Sequence, residues 1–400
     1  MDNQLSIMNH ELFANFQNFR ASINSAFLER SDVIDGVLAS MLTKQNCFLF
    51  GAPGTGKSEL VRAAANGFSG SKFFSYLLSP TTDPSELYGP VAVSKLLEDE
   101  YTRDVKGYLP DANVAFLDEL FRGSSAVLNS LLQLLNERTF NNGRDLIKTD
   151  VQSIVAATNS FPAEESLQAF CDRFLFRPTV EGLKKPTSKR KLYSWAVNNN
   201  RPDVKSELTV DNLSELQKIA SKVEVSDNFL DVFSETIDIL ESRGLSISDR
   251  RRVQILKFLR GWAVVQGEET VHPEYLHSTL HHIVYQTPED ITTIREVVDQ
   301  CVPTAEKFFR SVQKAANGIM SEFNSYRSKN IDNLTDINAL VSKLKELHND
   351  MRAVAERAER TLDDGNMKLT AAMRLKATKI CQEVNHNLDQ ISENISRYSK

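Results

Sequence analysis

Eight consecutive residues, Gly51, Ala52, Pro53, Gly54, Thr55, Gly56, Lys57 and Ser58, carry the first chemistry that can be read from this chain. They fit the spacing G-x-x-x-x-G-K-[ST], in which glycines let successive backbone N–H groups turn inward around an anion. Lys57 would reach the terminal phosphates of a nucleotide, and the Ser58 hydroxyl would help to hold Mg²⁺. A pattern with four constrained positions can arise by chance, so its context decides. The apolar run "CFLF" before it reads as a buried strand, and "SELVRAAANGF", beginning with Ser58 and Glu59, reads as a helix. Bound phosphates would then also lie on a helix N-terminus.

Hydrolysis needs an acid to hold the metal and a way to prepare water. "NVAFLDELF" offers an apolar strand ending in Asp118 and Glu119, at the strand end where open α/β sheets place their ligands. Asp118 would hold Mg²⁺ through water, and Glu119 would polarise the attacking water. The plainer alternative is that the two acids cap the following helix. A glycine loop about sixty residues upstream argues against it, because two independent matches would have to coincide. A third buried run, "SIVAATNSF", ends in Thr158 and Asn159. An amide beside the acidic pair can orient water or touch the terminal phosphate, although Asn also suits turns.

These residues need a scaffold. With 400 residues, the chain is long enough for two to three domains, and 41% hydrophobic and 25% charged residues are ordinary for a soluble globular protein. A formal net charge of -6 argues against a generic polyanion binder. Cys47, Cys171, Cys301 and Cys381 lie far apart, with neither zinc-ligand spacing nor a disulfide framework, which fits a reducing cytoplasm. The first residues are polar and acidic, and no run approaches eighteen apolar residues, so neither secretion nor membrane spanning is expected.

Three regions follow from the pattern: an α/β domain over residues 1–180, a mostly helical domain over 181–290 introduced by "EGLKKPTSKR", and a long-helix region over 291–400. In the last, Ile337, Val341, Leu344, Leu347, Met351, Val354 and Ala358 recur at helical spacing, as do Met373, Ala377, Ile380, Val384, Leu388, Ile391 and Ile395. A break at "LDDG", where Gly365 suits a left-handed cap, predicts an antiparallel helical hairpin. Such a hairpin packs on itself or on the body, or serves as an arm for a partner or for oligomerisation. His281 and His282 read as a local pair rather than a metal site.

The glycine loop, "FLDE", a strand-end Asn and an Arg-bearing helical stretch together resemble the AAA+ ATPases. "SPTTDPSELYGPV", "FLDELFRGSSAVLNSLLQLLNERTFNNG", "SIVAATNSFPAEESLQAFCDRFLFRP" and "LSISDRRRVQILKFLRGWAVVQGEETVHPEYL" resemble the MoxR group, and within it the RavA-type proteins, over about residues 11–290. The resemblance implies an AAA+ P-loop core with a parallel sheet, an all-α lid and a C-terminal helical hairpin or bundle. It also implies ATP and Mg²⁺ as cofactors, a homo-oligomeric ring, hexameric in such proteins, and a protein client that is remodelled or matured. A von Willebrand factor A domain protein is the implied functional partner.

Residues 86–110 look like the helix-2 insert that this clade directs toward the ring pore. Arg173 in "DRF" is similar to the arginine that reaches the neighbouring subunit's nucleotide; an ion pair with Asp172 is the plainer alternative. Arg250 stands in the place of the family's second sensor, with Arg251 as rival. Glu137 and Arg138 match the family without an assigned role, and the small β-rich insertion of some RavA-type proteins has no match in the tail. Two other classes compete with the remodelling motor. One is a nucleic-acid motor, disfavoured by net acidity. The other is a nucleotide-dependent scaffold in a metal-insertion or defence complex.

Overall fold

Strands apolar along most of their length must be covered on both faces, and three such runs align here in one parallel sheet with a fourth, half-exposed strand at its edge. The computed structural model describes residues 2–159, 167, 170–302, 305–327, 334–363 and 371–398; Gly365 lies outside the described residues. The strands are β1 (Cys47–Phe50), β2 (Phe68–Ser69), β3 (Phe73–Leu77), β4 (Val114–Asp118), β5 (Thr139–Asn142), β6 (Asp145–Lys148), β7 (Ser153–Thr158) and β8 (Leu208–Thr209). The main sheet has the order β1-β7-β4-β3, with Cys47 beside Val155 and Phe116 beside Val155. The stretch through Phe176 and Thr179 bridges to the outer side of β1, where the Phe48 N–H donates to the Phe176 carbonyl at 2.8 Å. Because β7 lies between β1 and β4, the C-terminal ends of three strands converge where the strand order reverses.

Helices Ser31–Leu42, Lys57–Asn66 and Ser125–Glu137 cover the sheet with Val37, Leu38, Leu60, Val61, Leu131 and Leu134 fully or almost fully buried. Helix Asp249–Gln266 packs closely on Ser31–Leu42: a Cβ on Gly261 would stand 2.9 Å from the Ala39 carbonyl oxygen. The lid helices Val210–Lys222, Asp227–Ser242 and Asp249–Gln266 each start at a Thr or Ser (Thr209, Ser226, Ser248) whose hydroxyl accepts a first-turn N–H. Helix Asp2–Ala26 is tied to the body by a bidentate pair from Arg20 to Asp35 at 2.7 and 2.6 Å.

The 86–110 segment starts with helix Pro84–Tyr88, closed by a capping box of Asp83 and Glu86. It then doubles back, with the Ala92 N–H donating to the Thr102 carbonyl at 2.8 Å, and carries the short helix Val93–Leu96. The β5–β6 hairpin, which the sequence pattern does not reveal, clasps it: Asn142 Oδ1 accepts the Arg103 N–H at 2.6 Å.

Residues Met1–Val271 and Ser278–Ile294 make up one unit; His272–His277 and Arg295–Lys400 make up another. The second holds three long helices, Ala305–Arg327, Leu334–Asp363 and Ala371–Tyr398, rather than the two expected. The extra one joins because Phe308, Val312, Ala316 and Phe323 form its own apolar stripe, packed with Leu344, Met351, Ala358, Ala377, Val384 and Ile391. Among the described residues, no helix is long and apolar enough to cross a membrane.

Candidate nucleotide site

The glycine loop leaves β1 under close constraint. The Gly51 N–H donates to the Thr158 carbonyl at 3.1 Å, and a Cβ at position 51 would stand 2.2 Å from the Val180 carbonyl oxygen. Gly56 takes the left-handed conformation, with φ 81°, as the N-cap of helix Lys57–Asn66, a place glycine occupies without steric cost. No side chain caps this helix, so its first-turn N–H groups point at the loop as an anion site. Thr55 Oγ1 closes the loop on the Ala52 carbonyl at 2.9 Å, while Ala52, Pro53 and Gly54 are exposed at its rim.

Lys57 is the buried cation of the cradle, and its Nζ donates to the Gly51 and Ala52 carbonyls at 2.6 and 3.1 Å. Burial pulls its pKa down, and the nearby Asp118 and Glu119 carboxylates oppose that. Asp118 ends β4, and its Oδ1 accepts the Glu119 N–H at 3.0 Å. Glu119 is left-handed, with φ 52°, unusual for a residue with a long side chain. Its carboxylate takes a hydrogen bond from Asn159 Nδ2 and lies 3.6 Å from Arg122 Nε. Lys57, Asp118, Glu119 and Asn159 thus come together from the ends of three neighbouring strands. Half-buried Ser58 opens the helix beside them, whereas Glu59 turns away and pairs with Arg201 at 2.5 Å.

A cavity of about 580 Å³ adjoins the loop, lined by Gly51, Ala52 and Asn159 on one side and by Val180, Tyr285 and Ile291 on the other. That is an ordinary size for a small-molecule site. Its far wall was not legible in the sequence, since Val180, Tyr285 and Ile291 belong to no motif and reach the loop only through tertiary packing. The donor set fits a nucleoside triphosphate with Mg²⁺: backbone N–H groups and an ammonium for the phosphates, and a hydroxyl and a carboxylate for the metal.

The arginines lie elsewhere. Asn46 precedes β1, and its Nδ2 donates to the Arg173 carbonyl at 3.3 Å, at the strand end opposite the glycine loop. The four residues of β1, five steps along the strand, separate Asn46 from Gly51, roughly 16 Å. Arg173 is exposed there. Arg250, also exposed, reaches Asn136 Oδ1 at 3.4 Å on the same side. Arg251 is buried and donates to the carbonyls of Asp172, Leu175 and Ile283. Burial pulls its pKa down, yet the carbonyls around it and Asp172 at 3.7 Å keep the guanidinium a cation. Asp172 faces Arg177 at 3.6 Å and Arg251, which is the ion pair that the sequence left open for Arg173. Arg138 caps its helix and bonds Asn46 Oδ1 at 2.6 Å, so it is part of the framework under this surface. His281 and His282 sit in a 3-10 turn with rings 3.9 Å apart.

Residues 14–218 match the family described as the MoxR domain in the MoxR-vWA-beta-propeller ternary systems, and residues 218–298 match an AAA lid domain. An uncharacterized protein of Methanocaldococcus jannaschii is 36% identical over 275 residues, spanning 68% of this chain and 72% of the relative. A second from the same organism is 33% identical over 289 residues, spanning 72% and 74%. The crystal structure of a candidate ATPase from Cytophaga hutchinsonii superposes with a TM-score of 0.60 at 17% identity, over 74% of this chain and 96% of that one, a likeness of fold. Profile, relatives and fold agree with the glycine loop and the acidic strand end: the chain belongs to the MoxR family of AAA+ ATPases.

Proposed function

We propose that the protein is a Mg²⁺-dependent ATPase that works as a head-to-tail homo-oligomeric ring, hexameric as the resemblance implies, and remodels or matures a protein client. One observation carries the reading. Lys57, Asp118, Glu119 and Asn159 converge at one end of the sheet, while Arg173 and Arg250 stand exposed at the other. At that separation an arginine cannot serve its own chain's phosphates. A second copy, placed head to tail, can bring it to them.

The loop from Gly51 to Ser58 and the helix it opens would bind the phosphates of ATP, with Lys57 on the terminal ones and Ser58 and Asp118 on Mg²⁺. When bound, the metal neutralises charge between the β- and γ-phosphates. Glu119, fixed by its backbone and by Asn159, would accept the proton of the attacking water, and Asn159 would orient that water. Arg173 from the neighbouring copy would stabilise charge developing on the transferred oxygens, making turnover conditional on assembly. Arg250 would act from the same neighbour as the lid sensor. The 86–110 insert would face the pore. Membership in a family defined by MoxR-vWA-beta-propeller ternary systems supports a von Willebrand factor A domain protein and a β-propeller protein as partners. A RavA-like placement rests on the resemblance, and a cytoplasmic setting is supported by the wide spacing of the four cysteines in sequence, which fits no disulfide framework.

The test is ATP turnover per chain against protein concentration with Mg²⁺, alongside sizing, for wild type and Arg173→Ala. Specific activity should climb as rings form. Arg173→Ala should form rings and bind ATP but lose about 10³-fold or more in turnover. Activity that ignores both concentration and Arg173 overturns the ring mechanism.

A further inference from the structure

Helix Pro186–Asn198 buries little of itself. Of its side chains only Trp195 is buried, while Leu192, Tyr193 and Val197 are 45%, 63% and 79% exposed. Helices on globular proteins bury an apolar stripe, so exposed Leu, Tyr and Val on a helix of this length mark an interaction surface. The surface is also strongly basic. Between Glu181 and Asp203 the chain holds Lys184, Lys185, Lys189, Arg190, Lys191 and Arg201 and no acid, in a protein whose net charge is -6. Both flanks of the helix are tied to the nucleotide side of the molecule. The Lys184 N–H donates to Glu29 and its side chain lines the cavity beside the glycine loop, and Arg201 pairs with Glu59 of the loop's helix.

Helix Asp227–Ser242 has the opposite character. It carries Asp227, Asp231, Glu235, Asp238 and Glu241 and no Lys or Arg. Asp231, Glu235 and Asp238 are exposed and recur at spacings of four and three, which puts them on one face. With Ser234, Ile239 and Ser242 they bound a shallow, open groove between side chains of this one helix, and Leu230, next to Asp231, is 39% exposed. This helix belongs to the arginine side. Arg252 holds Glu241 at 2.5 Å, and its neighbours Arg250 and Arg251 reach Asn136 and the Asp172 carbonyl.

We infer that the basic Pro186–Asn198 helix of one copy docks on the acidic Asp227–Ser242 groove of the next. The occupant is a second copy of this chain. The two surfaces are complementary in charge, each mixes charge with exposed apolar side chains, and they lie on the two sides that a head-to-tail arrangement apposes. Leu192, Tyr193 and Val197 would meet Leu230 and Ile239, with Lys189 and Arg190, which share their face, opposite Asp231, Glu235 and Asp238; Lys191 turns away and lies over the Trp195 ring at 5.1 Å. This deepens the ring reading and rests on it. The pairing also selects against a symmetric face-to-face dimer, which would oppose like charges.

The test is a charge swap read by sizing in ATP and Mg²⁺. One variant carries Lys189→Glu and Arg190→Glu; the other carries Asp231→Lys, Glu235→Lys and Asp238→Lys. All five residues are exposed, so both variants should keep wild-type melting temperatures. Each alone should fail to form rings at concentrations where wild type forms them. An equimolar mixture should recover them, since every junction then pairs opposite charges, and 0.5 M NaCl should weaken wild-type rings. Three outcomes overturn the interface while leaving the ring reading standing: rings from either variant alone, a mixture that stays apart, or rings that persist while the basic-helix variant loses only binding to a DNA probe. A wild type that never forms rings overturns both.

Discussion

Arg250, Arg251 and Arg252 are adjacent in sequence and do three different jobs. A helix turns each residue by about 100° from the last, so one neighbour faces solvent near Asn136, one is buried among carbonyls, and one holds Glu241. The roles separate by experiment. Arg251→Ala leaves the Leu175 and Asp172 carbonyls without the Arg251 donor and opens a gap beside Arg177, which still holds the Ile283 carbonyl and the Asp172 carboxylate, so it should lower unfolding stability by on the order of 2 kcal/mol. Arg250→Ala removes an exposed side chain, so its melting temperature should stay near wild type while ring-dependent turnover falls. A thermal melt and a turnover assay on both proteins decide this. Equal loss of stability in the two would place Arg250 in the framework and remove it from the site.

At the scale of elements, no side chain caps the Pro186–Asn198 helix; Glu29, from the turn before the Ser31–Leu42 helix, instead anchors the two residues that lead into it. The Glu29 carboxylate accepts the Lys184 and Lys185 N–H groups at 2.8 and 2.9 Å. These two backbone bonds, with the Ser188 hydroxyl, pull its pKa from 4.5 down to about 2. A carboxyl depressed in the folded state stabilises the native form fully above its unfolded pKa. Its contribution is therefore complete above about 4.5 and disappears as the pH falls through about 2. Glu29→Gln should abolish that dependence and speed hydrogen exchange at the Lys184 and Lys185 amides near neutral pH. Unchanged exchange at those amides would show that the helix start is held by something else.

At the scale of the whole molecule, the proposed ring would have two chains build each working site, and this allows a complementation experiment. Glu119→Gln subunits keep Arg173 but cannot prepare water, and Arg173→Ala subunits keep the pocket but offer no arginine. Each should be nearly inactive alone. In randomly mixed rings, half of the pockets are competent and half of the neighbours supply an arginine, so an equimolar mixture should recover about a quarter of wild-type turnover. Recovery of nothing would mean that Arg173 serves its own chain or no chain.

The local chemistry was legible in the sequence wherever a short segment had to do a specific thing. The glycine loop was one such segment, because its turn tolerates little else at Gly51 and Gly56, and the acidic strand end was another, because a buried strand must be apolar until its last residue. Other parts were not legible. The β5–β6 hairpin is four residues a side with no strong alternation, and it is held by Asn142 reaching a segment 39 positions away. In the C-terminal unit, the helical spacing of Phe308, Val312, Ala316 and Phe323 was readable in the sequence, whereas their joining one core with the other two long helices was not. Motif order and family resemblance, both local in the chain, were enough to determine the family. Which arginine is buried and what walls the cavity were decided by the tertiary structure, because each depends on packing between residues far apart in sequence.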